Sequence, residues 1–380
     1  MMEKRKILYI GGFKLPDKNA AAQRVIANSK LFSILGYEVT LIGLDKERNE
    51  FVFNGFRCIN LKYPSSINEW YRYLFTIKNY ISYLKEIKPQ FVIAYNHPAI
   101  ALKKLLHYNK ARNVKTLSDC TEWYEPEGSW FFRIIKGWDT EKRMNDVHCK
   151  LDGVITISSY LDDFYKAKGV KTLLLPPLVD KSEDKWKNNV GECKNDVARL
   201  FFAGSTAGTK DRIDFVIEAL DQLALNGFEF TMDIVGITEK QYCTTYKKEI
   251  PSSLLSYVKF HGRQKHIDVI RQLQESDFQI FLRENHLANR AGFPTKFSET
   301  ISAGTIVLTN ASSNLKDYMI EGVNSFELDI TDVEKLVNTL KVPLSLTKEQ
   351  IRDIKAKMDT SVFDYNNYIF ITEIFFNSLK

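Results

Sequence analysis

The 380-residue sequence lacks the patterns that mark several common classes of protein. Its five cysteines are scattered without CxxC spacing, which argues against a zinc site or a disulfide framework and favours a reducing compartment. No apolar run approaches the roughly 20 residues that a membrane-spanning helix needs. The basic start, "MMEKRKILYIGG", passes from a short apolar run into a glycine turn, so it predicts a first strand and no cleavable signal. We therefore expect a cytoplasmic protein.

The short motifs of several enzyme classes are also missing. The chain contains no P-loop, no HExxH, no GxSxG, no complete GxGxxG and no Asp-x-Asp. Its six histidines are dispersed and form no pair with the spacing of metal ligands. We therefore expect neither a metal requirement nor a bound cofactor.

The composition is that of a globular protein with an uneven charge distribution. Apolar residues make up 44% and charged residues 26% of a chain long enough for two domains. Residues 1–180 contain 28 Lys and Arg against 19 Asp and Glu, a net charge of +9, while the remainder is net −3. A basic half can bind an anionic membrane, an acceptor or nucleic acid, or it can simply be a lysine-rich solvated surface. Because no RNP, zinc or helix-turn-helix signature is present, we expect no nucleic-acid partner.

Short apolar runs alternate with helical stretches along the whole chain, which predicts an α/β fold with mostly parallel sheets. We predict two Rossmann-like, doubly wound domains facing each other across a cleft, at residues 1–178 and 198–363. The polar stretch 179–197 is interpreted as a linker. The aromatic helix at about 364–380 is expected to pack back on the first domain. In doubly wound domains, ligands bind at the carboxyl ends of the strands.

The stretch "GFPTKFSE" is the clearest candidate for a ligand site in the second half. Here Thr295 can cap a new helix, Lys296 lies beside its free N–H groups, and Glu299 is expected in its first turn. Glu299 can bind the hydroxyls of a ribose, although a carboxylate also complements a helix dipole there. One strand earlier, "IFLREN" ends in Glu284 and Asn285, which can bind a sugar.

Other candidates follow strands elsewhere in the chain. Lys210, in the loop "FFAGSTAGTKDR", and Gly12, after the first strand, can approach phosphates; a solvated loop and an ordinary turn are the alternatives. The acidic and aromatic stretch "TLSDCTEWYEPEG" suits a sugar through Asp119 and Glu122. His97 ends another strand, but a histidine before proline is more often a structural turn residue.

Three segments together resemble a known family. "FFAGSTAGTKDR", "VKFHGR" and "GFPTKFSETISAGTIVLTN" are similar to glycosyltransferase family 4 of the GT-B class, and "VITISSYL" and "LLLPPLVD" fit the same resemblance. The resemblance extends over nearly the whole chain. It implies metal-independent transfer of a hexose with retention of configuration from a nucleotide-sugar, with a UDP-sugar favoured.

The resemblance also implies roles for individual residues. Lys210 would hold the diphosphate, and Glu299 would bind the ribose. Lys296, Thr295 and Gly12 are expected at the phosphates because of their own positions at helix and strand ends. The resemblance further implies that Gly292 and Phe293 meet the donor sugar, that Gly262 and Arg263 line the base, and that Asp119 lies near the reacting sugar. From the residues themselves we expect Glu284 and Asn285 at the donor sugar and Glu122 and His97 as catalytic residues. The sequence departs from the family pattern at Ala291, Ser205 and Ser118, where a glutamate, an arginine and a histidine are usual.

We therefore expect a transferase that acts on a glycan, a lipid-linked sugar or a protein in bacterial surface polysaccharide or glycoconjugate synthesis. The alternative is a catalytically inactive relative that stabilises an active transferase, for which Ala291 is the main argument. The aromatic, lysine-bearing stretch 67–88 is either a helix lying on the inner face of an anionic membrane or a helix packed on its own sheet.

Overall fold

The computed structural model describes residues 5–124, 130–187, 197–204 and 211–380. The chain forms two compact units, one of residues 1–178, 290–293 and 365–380 and the other of residues 179–289 and 294–364. Each unit is built around its own mostly parallel sheet, which confirms the predicted α/β fold class. Residues 179–187 of the predicted linker belong to the second unit, where Trp186 is buried and the carbonyl of Lys185 accepts a hydrogen bond from Gln274 at 3.0 Å.

The first unit contains an eight-stranded sheet in the order β3-β4-β2-β1-β5-β6-β7-β8. Its strands are β1 Arg5–Gly11, β2 Tyr37–Asp45, β3 Asn49–Phe53, β4 Phe56–Lys62, β5 Phe91–Tyr95, β6 Lys115–Cys120, β7 Gly153–Thr156 and β8 Thr172–Leu174. Only β3 pairs antiparallel, with β4, among the described strands. Its helices are α1 Ala20–Ile34, α2 Ile67–Phe75, α3 Ile81–Ile87, α4 Ala99–Lys110, α5 Trp130–Lys142 and α6 Ser159–Lys166.

Apolar residues cover the two faces of this sheet in separate clusters, as expected for parallel strands enclosed between helices. The predicted single helix over 67–88 is instead two helices, because the chain turns to extended conformation at Thr76 after α2. All residues of α2 are at least partly exposed, whereas α3 buries three apolar side chains. The aromatic stretch is thus divided between an exposed helix and a packed one.

The second unit has a six-stranded parallel sheet in the order β11-β10-β9-β12-β13-β14. Its strands are β9 Ala198–Ala203, β10 Phe230–Val235, β11 Val258–Gly262, β12 Phe278–Ile280, β13 Ile306–Thr309 and β14 Ser325–Glu327. Its helices are α7 Ile213–Leu225, α8 Glu239–Tyr246, α9 His266–Glu275, α11 Thr295–Ala303, α12 Val333–Leu344 and α13 Lys348–Lys357, and the short α10, Leu287–Ala291, has residues in both units.

The last helix, α14, runs over Ile369–Ser378 and packs within the first unit. The ring of Phe376 lies 5.3 Å from that of Phe32 and 5.0 Å from those of Tyr37 and Phe91, measured between centroids. Buried aromatic rings contribute a large apolar area, and edge-to-face pairs add to it. The C-terminal residues are therefore part of the core of the first unit.

Candidate active site

The strand order of the second unit reverses between β9 and β12. From β9 the chain proceeds outwards through β10 and β11, and from β12 it proceeds in the other direction through β13 and β14. Doubly wound sheets bind their ligands outside the carboxyl ends of the strands at such a switch point. The segments that leave these strand ends are therefore the first place to look for a site.

On one side of this switch point, the ends of β9, β10 and β11 approach each other closely because each has a glycine at or directly after its last residue. The N–H of Gly204 donates to the carbonyl of Val235 at 2.9 Å, and the N–H of Gly236 donates to the carbonyl of Gly262 at 2.7 Å. Gly236 has φ of +99°, and a Cβ atom placed on it would lie 1.9 Å from the carbonyl oxygen of Gly204. The edge of the sheet is thus lined by backbone at this point.

The two residues predicted to meet the base differ in their surroundings. Gly262 is buried, and its N–H already donates to the carbonyl of Ile237 at 3.0 Å, so that group is not available to a ligand. The following residue, Arg263, is exposed. Only Arg263 of this pair presents an accessible side chain.

A mostly buried cluster of two cations and one carboxylate lies at the switch point. Asp211 forms ion pairs with Lys296, on α11, and with Arg283, which follows β12, the Arg283 Nε to Asp211 Oδ1 distance being 3.2 Å. All three side chains are at most 17% exposed. Burial lowers the pKa of Lys296 below its usual range, although Asp211 opposes this effect. Burial raises the pKa of the Asp211 carboxyl, but Lys296 and Arg283 outweigh it and hold that pKa below its ordinary value.

The residue predictions around α11 need two corrections. Pro294 occupies the N-cap position and provides no side-chain cap, so Thr295 is the first helical residue rather than a cap. Glu299 consequently lies beyond the first turn, where it is 21% exposed. Its Oε1 is 3.0 Å from Nε2 of His266, the first residue of α9. The sequence analysis missed His266, and no motif around it indicates this contact.

Glu284 and Asn285 both lie on the surface after β12. Glu284 forms an ion pair of 2.6 Å with Arg212, and Arg212 also binds Asp214 at 3.1 Å. The carboxylate of Glu284 is thus already paired, while Asn285 is exposed. The contact with Arg212 uses Oε1 of Glu284, whose side chain is 57% exposed.

In the first unit, Asp119 is fully buried at the end of β6 and is enclosed by partners. Arg24 binds both carboxylate oxygens, with Nη2 to Oδ1 at 2.8 Å and Nε to Oδ2 at 3.0 Å, and the Tyr9 hydroxyl donates to Oδ2. Arg24 also donates to the carbonyl of Leu175 at 2.8 Å. This network joins α1, β1, β6 and the segment after β8, so Asp119 is placed as a structural counter-ion.

The other two predicted catalytic residues lie near the same sheet edge. His97 is fully buried beside the rings of Tyr73 and Tyr80, at 5.6 Å from each. Burial and the nearby Arg143 guanidinium lower the pKa of His97 to about 3, so its ring is neutral at physiological pH. Glu122 is half-buried, and its carbonyl accepts a hydrogen bond from Arg143 at 3.5 Å. Of the three, only Glu122 is accessible to a substrate.

Gly12, Gly292 and Phe293 also lie in the first unit. Gly12 is exposed after β1, and a Cβ atom on it would lie 3.6 Å from the Tyr73 hydroxyl. Gly292 and Phe293, predicted for the second domain, belong to the first unit, where Phe293 is buried. The carbonyl of the preceding Ala291 accepts a hydrogen bond from Ser158 at 2.6 Å.

Lys210 and Ser205 lie outside the described residues. Within the described ranges, no three His, Cys, Asp or Glu side chains are grouped so that they could hold a metal ion. None of the described helices has the length and apolar character that crossing a membrane requires.

Residues 182–357 match the family model of glycosyl transferases group 1. Among curated proteins, none matches the chain. Among solved structures, the chain is similar to a glycosyltransferase from Rickettsia africae ESF-5, with a TM-score of 0.71, 16% identity and 99% of each chain covered. It is also similar to HepE of Anabaena in complex with UDP-glucose (TM-score 0.66, 13% identity, 98% of this chain and 99% of that one). A third similar structure is WaaG, a glycosyltransferase involved in lipopolysaccharide biosynthesis (TM-score 0.64, 16% identity, 96% of this chain and 98% of that one). The fold is that of GT-B glycosyltransferases.

Proposed function

We propose that this protein is a retaining glycosyltransferase of family 4 that moves a hexose from a nucleotide-diphosphate sugar to a glycan, a lipid-linked sugar or a protein. The observation that carries the proposal is the pair of mostly buried cations, Lys296 and Arg283, at the switch point of the sheet in a segment that matches group 1 glycosyl transferases. Two cations held there suit the phosphates of a nucleotide, and the similar HepE structure contains UDP-glucose.

The proposed reaction places negative charge on the departing diphosphate. The bond between the anomeric carbon and the phosphate oxygen breaks, the acceptor hydroxyl oxygen bonds to the same face of that carbon, and its proton passes to the departing phosphate. Lys296, Arg283 and the N-terminus of α11 would stabilise this charge, with Lys210 as a further expected contact. Because these groups can carry the charge, we expect activity without added metal.

The remaining contacts are assigned by accessibility. Glu299, paired with His266 and partly exposed, is proposed to bind the ribose hydroxyls. Arg263 and the exposed Asn285 are proposed to meet the base and the donor sugar, respectively. Among the predicted acid and base residues, Glu122 is the one that a substrate can reach.

A screen of UDP-, GDP-, ADP-, CMP- and dTDP-sugars by thermal shift, with and without EDTA, tests the donor site. We expect one nucleotide-diphosphate sugar to raise the melting temperature in EDTA, and this rise to disappear in Lys296→Met. Lys316→Met is the matched control, since Lys316 is 70% exposed in the same unit. The proposal fails if no donor shifts the melting temperature, or if both variants respond equally. If a donor binds and is turned over, NMR of the product shows whether the anomeric configuration is retained.

An inactive partner of another transferase is the second candidate function, favoured by Ala291. This residue stands where the family pattern usually has a glutamate, is fully buried, and accepts a hydrogen bond from Ser158 through its carbonyl. Donor binding without measurable transfer or hydrolysis, across a panel of acceptors, would support this second candidate.

We propose further that the first unit contacts the anionic inner face of the membrane through α5. Trp130, Ile134 and Trp138 recur every four residues on this helix and are 76%, 52% and 50% exposed. Arg133, exposed on the same helix, adds a positive charge. Exposed tryptophan with basic neighbours suits the interface of an anionic bilayer, and such contact would bring the enzyme to lipid-linked acceptors of bacterial surface polysaccharide synthesis.

Co-sedimentation with phosphatidylglycerol vesicles tests this contact. We expect binding at low salt that falls in Trp138→Ser and in high salt, and no binding to phosphatidylcholine vesicles. Ile320→Ser, at a 57% exposed position in the second unit, is the control. Equal binding by both variants would show that α5 is not the membrane contact.

A further inference from the structure

One carboxylate lies between the two cations assigned to the phosphates. Asp211 pairs with both Lys296 and Arg283, and its side chain is 13% exposed. The cluster therefore contains two positive charges and one negative charge. A carboxylate in this position neutralises part of the field that would otherwise attract a phosphate.

The three members of the cluster lie on separate segments of the second unit. Lys296 belongs to α11, and its ammonium lies 4.6 Å from the centroid of the Phe202 ring. The backbone of Arg283 is fixed by Asn310, which accepts from its N–H and donates to its carbonyl, both at 2.8 Å. Asp211 precedes α7 and its cap residue, and its carbonyl accepts hydrogen bonds from the N–H of Ile213 at 2.8 Å and from the Tyr246 hydroxyl at 3.4 Å. Because its backbone is held, displacement would turn the short Asp211 side chain away from the cations rather than move the chain.

We infer that Asp211 is an internal counter-ion that pairs Lys296 with Arg283 in the ligand-free protein and is displaced from them by the phosphates of the donor. The inference rests on the proposed function in taking a nucleotide-sugar as the displacing ligand. It makes Asp211 a specificity-determining residue, because a ligand must bring more negative charge than the carboxylate that it replaces. A diphosphate group meets this condition better than the single phosphate of a CMP-sugar.

Calorimetric titration with inorganic pyrophosphate tests the inference. We expect Asp211→Asn to bind pyrophosphate roughly tenfold more tightly than the wild type, which corresponds to about 1.4 kcal/mol. Asp214→Asn is the matched control, since Asp214 is an acidic residue of the neighbouring helix α7 that pairs with Arg212 instead. We expect its affinity to match that of the wild type. Equal or weaker binding by Asp211→Asn, or an equal gain in both variants, would overturn the inference.

Two further measurements guard against a folding defect in Asp211→Asn. Asp211→Glu keeps the charge and is expected to bind pyrophosphate no more tightly than the wild type; a gain equal to that of Asp211→Asn would point to loosened packing and overturn the inference. A crystal structure of the wild type with pyrophosphate should show Asp211 away from Lys296, and a retained ion pair beside bound pyrophosphate would likewise refute displacement. Failure of the proposed function would appear separately, as an absence of nucleotide-sugar binding.

Discussion

Replacing Asp119 with asparagine distinguishes a structural from a catalytic role for this residue. The substitution leaves Arg24, which is 3% exposed, without its only ion-pair partner among the described residues. Removing one partner of a buried ion pair typically costs about 3–5 kcal/mol, because the other charge stays buried. That is a large share of the roughly 5–15 kcal/mol by which domains are stable. We therefore expect a large loss of stability in the first unit.

Urea unfolding followed by tryptophan fluorescence measures this loss, since Trp70, Trp123, Trp130 and Trp138 all lie in the first unit. Asp45→Asn is the control, because Asp45 pairs with Lys18, whose side chain is 52% exposed, and exposed pairs contribute about 1 kcal/mol or less. If Asp119→Asn unfolded like the wild type but lost transferase activity, our assignment of a structural role would be refuted.

Two other substitutions test the backbone approach in the second unit and the buried histidine in the first. Gly236→Ala should prevent folding of the second unit, because its Cβ would meet the carbonyl of Gly204, whereas Gly227→Ala, at φ of +82° with open space around it, should cost only about 1 kcal/mol. Circular dichroism of the two purified variants compares them. His97 is neutral in the folded protein down to about pH 3 but becomes charged below about pH 6.5 in the unfolded chain. The free energy of unfolding therefore decreases as the pH falls, because only the unfolded chain takes up this proton. His97→Phe should therefore lose about 2 kcal/mol less than the wild type between pH 7.5 and 5 in urea unfolding, and an equal loss would contradict the low pKa.

Local pattern accounts for what the sequence analysis predicted correctly and for part of what it missed. Apolar periodicity indicated the alternating strands and helices, because side-chain spacing reflects which face is buried. The β3–β4 hairpin was missed, although Asn54 and Gly55 between alternating apolar residues are a known hairpin signal and both have positive φ. Thr295 and Glu299 were each assigned a helix position one too early, because Pro294 occupies the N-cap position.

The sequence by itself determined that the chain folds into two parallel α/β units and that polar side chains follow their strands, since both depend on neighbouring residues. Only the tertiary structure decided which charges meet. Asp119 pairs with Arg24, 95 positions earlier, and Asp211 pairs with Lys296, 85 positions later. The energy of a charge depends on its distance to other charges and on its burial, and the fold sets both. For this reason Asp119 was predicted to be catalytic but is buried in an ion pair, while the role of Asp211 could be inferred only from its neighbours in space.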